Sequence, residues 1–406
     1  MARSEKRRAV VIGGSMSGLL NGLLLLRAGW AVDIYERVES ELSGRGAGIV
    51  AQAELIERLR RLGLPTDNLG VHITTRKILD VSGHFTHSYE CPQVLTAWER
   101  AYRLLRDAFP PEHYHRGRGF TGFTQDAANV TAHFSDGETV EAEVLVGADG
   151  IRSTVRQQAA PDVVPLYAGY SAWRALIAES AFPPEVHHNL FEFMTFALPP
   201  GEQFLGYPVA GPDNDLRPGH RRYNIVWYRP ANEKTKLQWL LTDERGHTHA
   251  ISIPPPLIRH EVVAEMRADA ERLLGPQFKQ LARLMHEPIL QPIYDLESPQ
   301  MAFGRIAIAG DAAFVARPHV AAGVSKAADD AAALAEALSA EQDVAAALER
   351  YQAARLGQNF SIIERARHLG AYLQATRTLE EQTRAGMHST DEAVIAETAV
   401  LDFLYA

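Results

Sequence analysis

The stretch Ala9-Val10-Val11-Ile12-Gly13-Gly14-Ser15-Met16-Ser17-Gly18 decides the fold. Four apolar residues suit a strand buried in a parallel sheet. The glycine-rich turn then opens an apolar helix, predicted from Leu19 and stopped by Gly29. Ala31 to Glu36 reads as the next strand. In the pattern Gly13-x-Ser15-x-x-Gly18, Gly13 permits the tight turn and small Ser15 lets a diphosphate approach the backbone. Gly18 allows helix and strand to pack closely, and the helix N-terminus, with Gly14, Met16 and Ser17, faces the phosphates. Glu36 follows Gly18 at the spacing of an acid that accepts from ribose hydroxyls.

Two later stretches end the same way. Val144-Leu145-Val146-Gly147-Ala148-Asp149-Gly150 is a buried strand closed by an Asp-Gly turn, with Arg152 and Arg156 just beyond. Ile306-Ala307-Ile308-Ala309-Gly310-Asp311 is another, followed by Pro318, Ala321-Ala322-Gly323 and a long helical stretch. Three strand ends carrying small residues and an acid suit convergence on one ligand. Asp311 is placed to accept from a sugar-like hydroxyl, since its carboxylate is costly to bury without a donor. The amides near Gly323 offer a positive helix end.

Composition narrows the class. The 406 residues suggest two or three domains at roughly 150 residues each. With 46% hydrophobic residues there is material for a sizeable core. A formal charge of -9 does not suit nucleic acid or an anionic membrane. One cysteine, Cys91, excludes an internal disulfide and a cysteine-rich metal site. No export signal or membrane-length apolar run is read, so a cytoplasmic protein is expected.

Between about 167 and 230 the texture becomes aromatic and strand-like, over Tyr170–Leu176, His188–Leu198, Gln203–Val209 and Arg222–Tyr228, with Pro, Gly and Asp turns between. From Ala327 to about Leu373 an Ala-, Glu- and Arg-rich stretch favours helices. The fold class expected is α/β: a Rossmann-like domain, an inserted mainly antiparallel β-sheet domain and a C-terminal helical segment. The boundaries expected are 1–70, 100–166 and 287–345 for the first, 71–99 and 167–286 for the second, and 346–406 for the third. His84, His87, His113 and His115 read as solvated surface, and no metal site is expected.

Together and in this order, the three motifs resemble those of the single-component FAD-dependent aromatic hydroxylases, the p-hydroxybenzoate hydroxylase type, over about residues 8 to 355. Tyr167-Ala168-Gly169-Tyr170, Trp173-Arg174 and Ala316-Arg317-Pro318-His319 resemble the branch typified by 2,6-dihydroxypyridine 3-hydroxylase. The resemblance implies non-covalent FAD with its diphosphate on Gly13 to Gly18, its ribose at Glu36 beside Arg37, and a loop from Arg45 to Gly48 past the flavin ring. Asp149 and Arg152 would serve FAD and transient NADH or NADPH, Asp311 the ribityl chain or diphosphate, and the Gly323 and Val324 amides the pyrimidine end of the ring. Substrate would lie beside Pro318 and His319, in a dry pocket walled by Trp173, Phe193, Phe196, Tyr207, Trp227 and Tyr228, with His319 or Tyr207 taking its proton.

The implied reaction is hydroxylation of a hydroxylated aromatic or hydroxypyridine-like ring, using NAD(P)H and O2 through a flavin C4a-hydroperoxide. A homodimer is left open. A flavin dehydrogenase or reductase without oxygen insertion shares these motifs; a flavin halogenase does not, since Trp-x-Trp-x-Ile-Pro is absent. Three departures stand out: the family arginine near Trp98 is left unassigned in the run Ala97-Trp98-Glu99-Arg100, Phe314 replaces a family histidine, and Ala322-Gly323-Val324 keeps one glycine of two.

Overall fold

The computed structural model describes residues 7–42 and 48–404. Arg45, expected beside the flavin, lies outside the described residues, as do Gly46 and Ala47. The apolar run forms the strand Arg8–Ile12, with Ala9, Val10 and Val11 without exposed surface. It is flanked in parallel by Val144–Gly147 on one side and Ala31–Glu36 on the other. Ile306–Ile308 extends the sheet beyond Val144–Gly147, and Tyr114–Arg116 extends it beyond Ala31–Glu36. The chain thus departs to opposite sides of the first strand, and the crevice above its C-terminal end is where such sheets bind ligands. The helix Met16–Arg27 begins three residues earlier than expected and packs on this sheet with the helix Gly323–Ala340.

A second sheet runs in the order Phe314–Val315, Ile289–Glu297, Leu166–Ala178, Arg222–Pro230, Gln203–Val209, Met194–Ala197, Val71–Leu79, Phe85–Ala97, Gly48–Ala51. The expected boundaries at 70 and 287 fall inside it, because Gly48–Ala51 pairs with Phe85–Ala97 and Ile289–Glu297 pairs with Leu166–Ala178. Alternation along the strands gives the sheet two buried faces. On one, Trp173, Phe204, Tyr223 and Trp227 pack under the helices His260–Leu273 and Pro276–Leu284. On the other, Tyr170, Phe196, Tyr207 and Tyr228 pack with Ala371, Tyr372, Leu373 and Ile395 of the C-terminal segment.

The strand expected over His188–Leu198 forms only in its second half, its first three residues ending a helix. Pro184–Leu190 is helical, and only Met194–Ala197 is a strand. Pro184 sets φ for a first helical turn and Glu185 suits its positive end, local signals that outweigh the aromatic texture. The helical tail continues through Val344–Gly370, capped by the Asp343 side chain, then Leu379–His388 and Asp391–Glu397. Among the described residues no helix is long and apolar enough to cross a membrane.

Candidate active site

The glycine turn admits no larger residues at two positions. Gly13 has φ +107°, and a Cβ there would lie 2.3 Å from the Ala148 carbonyl oxygen; one on Gly18 would lie 1.8 Å from the Gly13 oxygen. Ser15 starts the helix without a side-chain cap, leaving the first amides, at Ser15, Met16 and Ser17, without intrahelical acceptors. The Ser17 hydroxyl is buried and unpartnered. Glu36 is buried and accepts from the amides of Gly14 at 2.8 Å and Val38 at 2.9 Å, so it also fastens the turn. Tyr114 donates to the Gly14 carbonyl from the other side at 2.7 Å. Arg37 is exposed.

At the second strand end, Asp149 Oδ2 accepts from the amides of Thr154 and Val155, while Oδ1 is buried without a partner. Burial pushes this carboxyl up, opposed by the Ser153 hydroxyl and those amides. Arg152 is exposed and donates to Ser252 at 2.9 Å. Arg156 is buried and donates to the carbonyls of Ile151, Val163 and Ala312. It ties the second strand end to the third, a role its spacing did not reveal.

At the third, Asp311 is exposed, and the surrounding protein mass still pushes its carboxyl up by desolvation, against the nearby Lys326. Asp330 accepts from the Gly310 amide and from Arg355, holding the turn from behind. Lys326 is buried 3.6 Å from Asp330 and makes no hydrogen bond among the described residues. Gly323 is exposed and begins its helix with no side-chain cap, with Val324 next. Orphaned polar atoms at Ser17 and Asp149, two uncapped helix ends and an open carboxylate at Asp311 fit an extended flavin dinucleotide.

The face beyond Gly323 carries a second cluster. The His319 Nε2 lies 2.8 Å from the Tyr170 hydroxyl, and the His319 ring centre lies 4.6 Å from that of Tyr228. Burial, aided by Arg317, lowers the His319 pKa to about 3. Arg317 itself forks onto Asp295 and donates to Gln374. Pro318 is half-buried beside it. Tyr207 is pushed up to about 12 and Tyr228 is also raised, both by burial opposed by the Arg174 guanidinium. Arg174 donates to Gln291 at 2.9 Å and, among the described residues, pairs with no carboxylate. Asn224 holds the Gly48 amide through Oδ1, and its Nδ2 is buried and unpartnered.

Of the six aromatics expected to wall the pocket, the fold brings Tyr207, Tyr228 and Phe196 to this face. It does not bring Trp173 and Trp227, whose positions in the strand alternation send them to the opposite face under the helices. Phe193 lies apart, half-buried against Phe85 and under the Lys77 ammonium. Nor do His319 and Tyr207 have the basicity expected of them, since near neutrality the first stays neutral and the second stays protonated. Tyr170 and Arg174 were read only within stretches that carry the resemblance, with no role given to either, and Asn224 went unread; the one further sequence signal was an arginine amid apolar strand residues. His113 is exposed as expected and His115 half-buried, and both contact Asp33 Oδ1 at 3.0 Å, a carboxylate delivered by the neighbouring strand.

Residues 167–295 match a family model described as FAD binding domain-like, and residues 290–366 one described as FAD binding domain. The 2,6-dihydroxypyridine 3-monooxygenase of Paenarthrobacter nicotinovorans is 32% identical over 389 residues, 95% of this chain and 97% of that one. The chain belongs to the FAD-dependent aromatic hydroxylases. It is therefore a flavin monooxygenase, with FAD as its cofactor. A 6-hydroxynicotinate 3-monooxygenase of Pseudomonas fluorescens is 26% identical, covering 82% of this hydroxylase and 83% of that enzyme. The solved structure of 2,6-dihydroxypyridine-3-hydroxylase from Arthrobacter nicotinovorans matches with a TM-score of 0.85 at 32% identity, over 91% of this chain and 93% of that one.

Proposed function

We propose that the chain hydroxylates an electron-rich, hydroxypyridine-like ring, taking hydride from NAD(P)H and one oxygen atom from O2 while the other leaves as water. The observation that carries this is Arg174, a guanidinium with no carboxylate partner among the described residues, beside the Tyr207 and Tyr228 hydroxyls on the face that holds His319. The relatives named for hydroxylating dihydroxypyridine and hydroxynicotinate rings support the substrate class.

Bound in the crevice of the three strand ends, FAD supplies hydride acceptance and oxygen activation. Gly13, Gly14, Ser15, Met16, Ser17 and Gly18 would hold its diphosphate, Glu36 its ribose, and Asp149 and Asp311 its linking hydroxyls. The helix starting at Gly323 and Val324 offers positive backbone charge that would meet the pyrimidine end of the flavin ring. Gly48 starts the strand beside Asn224 and leaves room where a Cβ would meet Tyr207 at 2.7 Å. Arg152, exposed beside Ser252, would meet NAD(P)H from the surface.

Arg174 favours the ring bound as its anion, the form in which an electrophilic oxygen is best received. The protonated hydroxyls of Tyr207 and Tyr228 stay available as donors to ring oxygens. With neither tyrosine nor His319 basic, the substrate's proton goes to solvent as the anion binds. Phe196, Tyr372 and the C-terminal segment cover the face and keep water from the reacting ring. The test is a panel of hydroxypyridines and hydroxybenzoates under isotope-labelled O2 with NADH or NADPH. Labelled hydroxylated product is expected; NAD(P)H oxidation with label-free product would sink the reading and favour a reductase.

A further inference from the structure

His319 carries two ring nitrogens, and the fold treats them differently. Nε2 lies 2.8 Å from the Tyr170 hydroxyl. Tyr170 has no exposed surface, and among the described residues this contact is its hydroxyl's one hydrogen bond. Gly370 closes the pair from above: a Cβ there would lie 2.6 Å from the Tyr170 hydroxyl and 3.0 Å from His319 Cδ2. The Arg317 guanidinium stands 5.8 Å from the Tyr170 ring centre and offers donors only.

A phenol has one proton to give, and a neutral imidazole has one N–H. If Nε2–H donated to the phenol oxygen, the phenol's proton would be buried with no acceptor, an arrangement native interiors avoid. If the phenol donates to Nε2, both groups are satisfied and the ring's N–H falls on Nδ1. We propose that Tyr170 fixes His319 as the Nδ1–H tautomer, so that His319 serves as a hydrogen-bond donor to the anionic oxygen of the ring substrate and not as the base that removes its proton. The donor role rests on the hydroxylase reading above; the tautomer does not. Arg317, held by Asp295, acts in the same sense by opposing a second proton on the ring. Tyr170 acts through His319 and is a positioning residue.

Long-range proton–nitrogen NMR of the FAD-loaded protein carrying isotope-labelled histidine reads the tautomer directly, the His319 signals being those lost in His319→Asn. A protonated Nδ1 and a bare Nε2 near neutral pH are expected; an Nε2–H ring or an imidazolium overturns the proposal, whatever the enzyme turns over. Tyr170→Phe should leave FAD content at the wild-type level and mix the two tautomers, and an unchanged spectrum overturns the positioning role. An asparagine amide N–H falls near the lost Nδ1–H, a glutamine amide near Nε2. His319→Gln should therefore raise KM for the ring at least about tenfold more than His319→Asn, the effect of one charge-assisted hydrogen bond. Equal KM values at wild-type FAD content overturn the donor role. A spectrum showing Nδ1–H in a protein that hydroxylates no ring supports the tautomer and overturns the donor role together with the functional reading.

Discussion

The backbone amide of Ala399 donates to the carbonyl oxygen of His319 across 2.6 Å. Ala399 stands in the left-handed region at φ +58°, and its own carbonyl accepts from Gln52 and Gln93. Arg76, buried in the second sheet, donates to the Ile395 carbonyl four residues earlier. One residue thus joins the His319 loop to two strand-bearing stretches, and the segment around it covers the face of Tyr207 and Tyr228.

That link predicts a coupling defect. Ala399→Pro removes the donating N–H and cannot adopt positive φ. It should raise NAD(P)H oxidised per ring hydroxylated, with FAD still bound. Ala399→Gly, which suits the left-handed region, should keep the wild-type ratio. Equal ratios in both variants would remove the cover from the mechanism.

Arg174→Gln should weaken the ionised ring by about 1.5–3 kcal/mol, the loss of a hydrogen bond to a charged group, and so raise KM roughly ten- to a hundredfold. FAD absorbance should not change. Arg174→Lys restores the charge without the fork, and should recover only part of the loss. A KM indifferent to all three side chains would show that the guanidinium does not meet substrate.

Trp227 separates core from pocket. It is fully buried on the helix-covered face, with Phe204 5.8 Å away. Trp227→Phe should lower stability by about 1–3 kcal/mol in urea titration, as lost packing in a close-packed core does, and leave KM unchanged. A raised KM at unchanged stability would return Trp227 to the pocket wall.

His319 also predicts a pH dependence. Its ordinary value is 6.5, and the fold lowers it to about 3 through burial and Arg317. The unfolded chain therefore binds a proton that the folded chain refuses between those values. The stability His319 contributes is fully present above 6.5 and is lost as pH falls toward 3, by up to about 5 kcal/mol. Urea midpoints of His319→Asn should fall less steeply over that window than those of the wild type; parallel curves would contradict the burial.

Asp311→Ala should cost FAD about 1.5–3 kcal/mol of affinity, measured by fluorescence titration of the flavin-free protein. Asp311→Asn, which keeps an acceptor, should cost less. An equal loss in both would point to charge, and no loss in either would remove Asp311 from the cofactor site.

The nucleotide-binding end of this protein was legible along the chain because its physics is local. Gly18 sits where a turn and a helix adjacent in sequence leave no space for a Cβ, and Gly13 takes a positive φ in the same turn, although the atom its Cβ would meet is the distant Ala148 carbonyl oxygen; the buried runs that end at Asp149 and Asp311 are equally self-announcing. The substrate end was legible only in part. Tyr207 and Tyr228 reach the His319 face while Trp227, one residue before Tyr228, does not, because adjacent strand residues point to opposite faces and both faces of this sheet are buried. With no polar face to mark the alternation, aromatic content alone could not say which side met the ligand. The partners of His319 lie far from it in sequence, at Tyr170 and Ala399. Its neutrality comes from burial beneath segments that arrive only on folding. Spacing pointed to a dinucleotide at the strand ends, and the resemblance of the three motifs to a known family made it a flavin; packing between distant segments decided which side chains share the His319 face and in which protonation state.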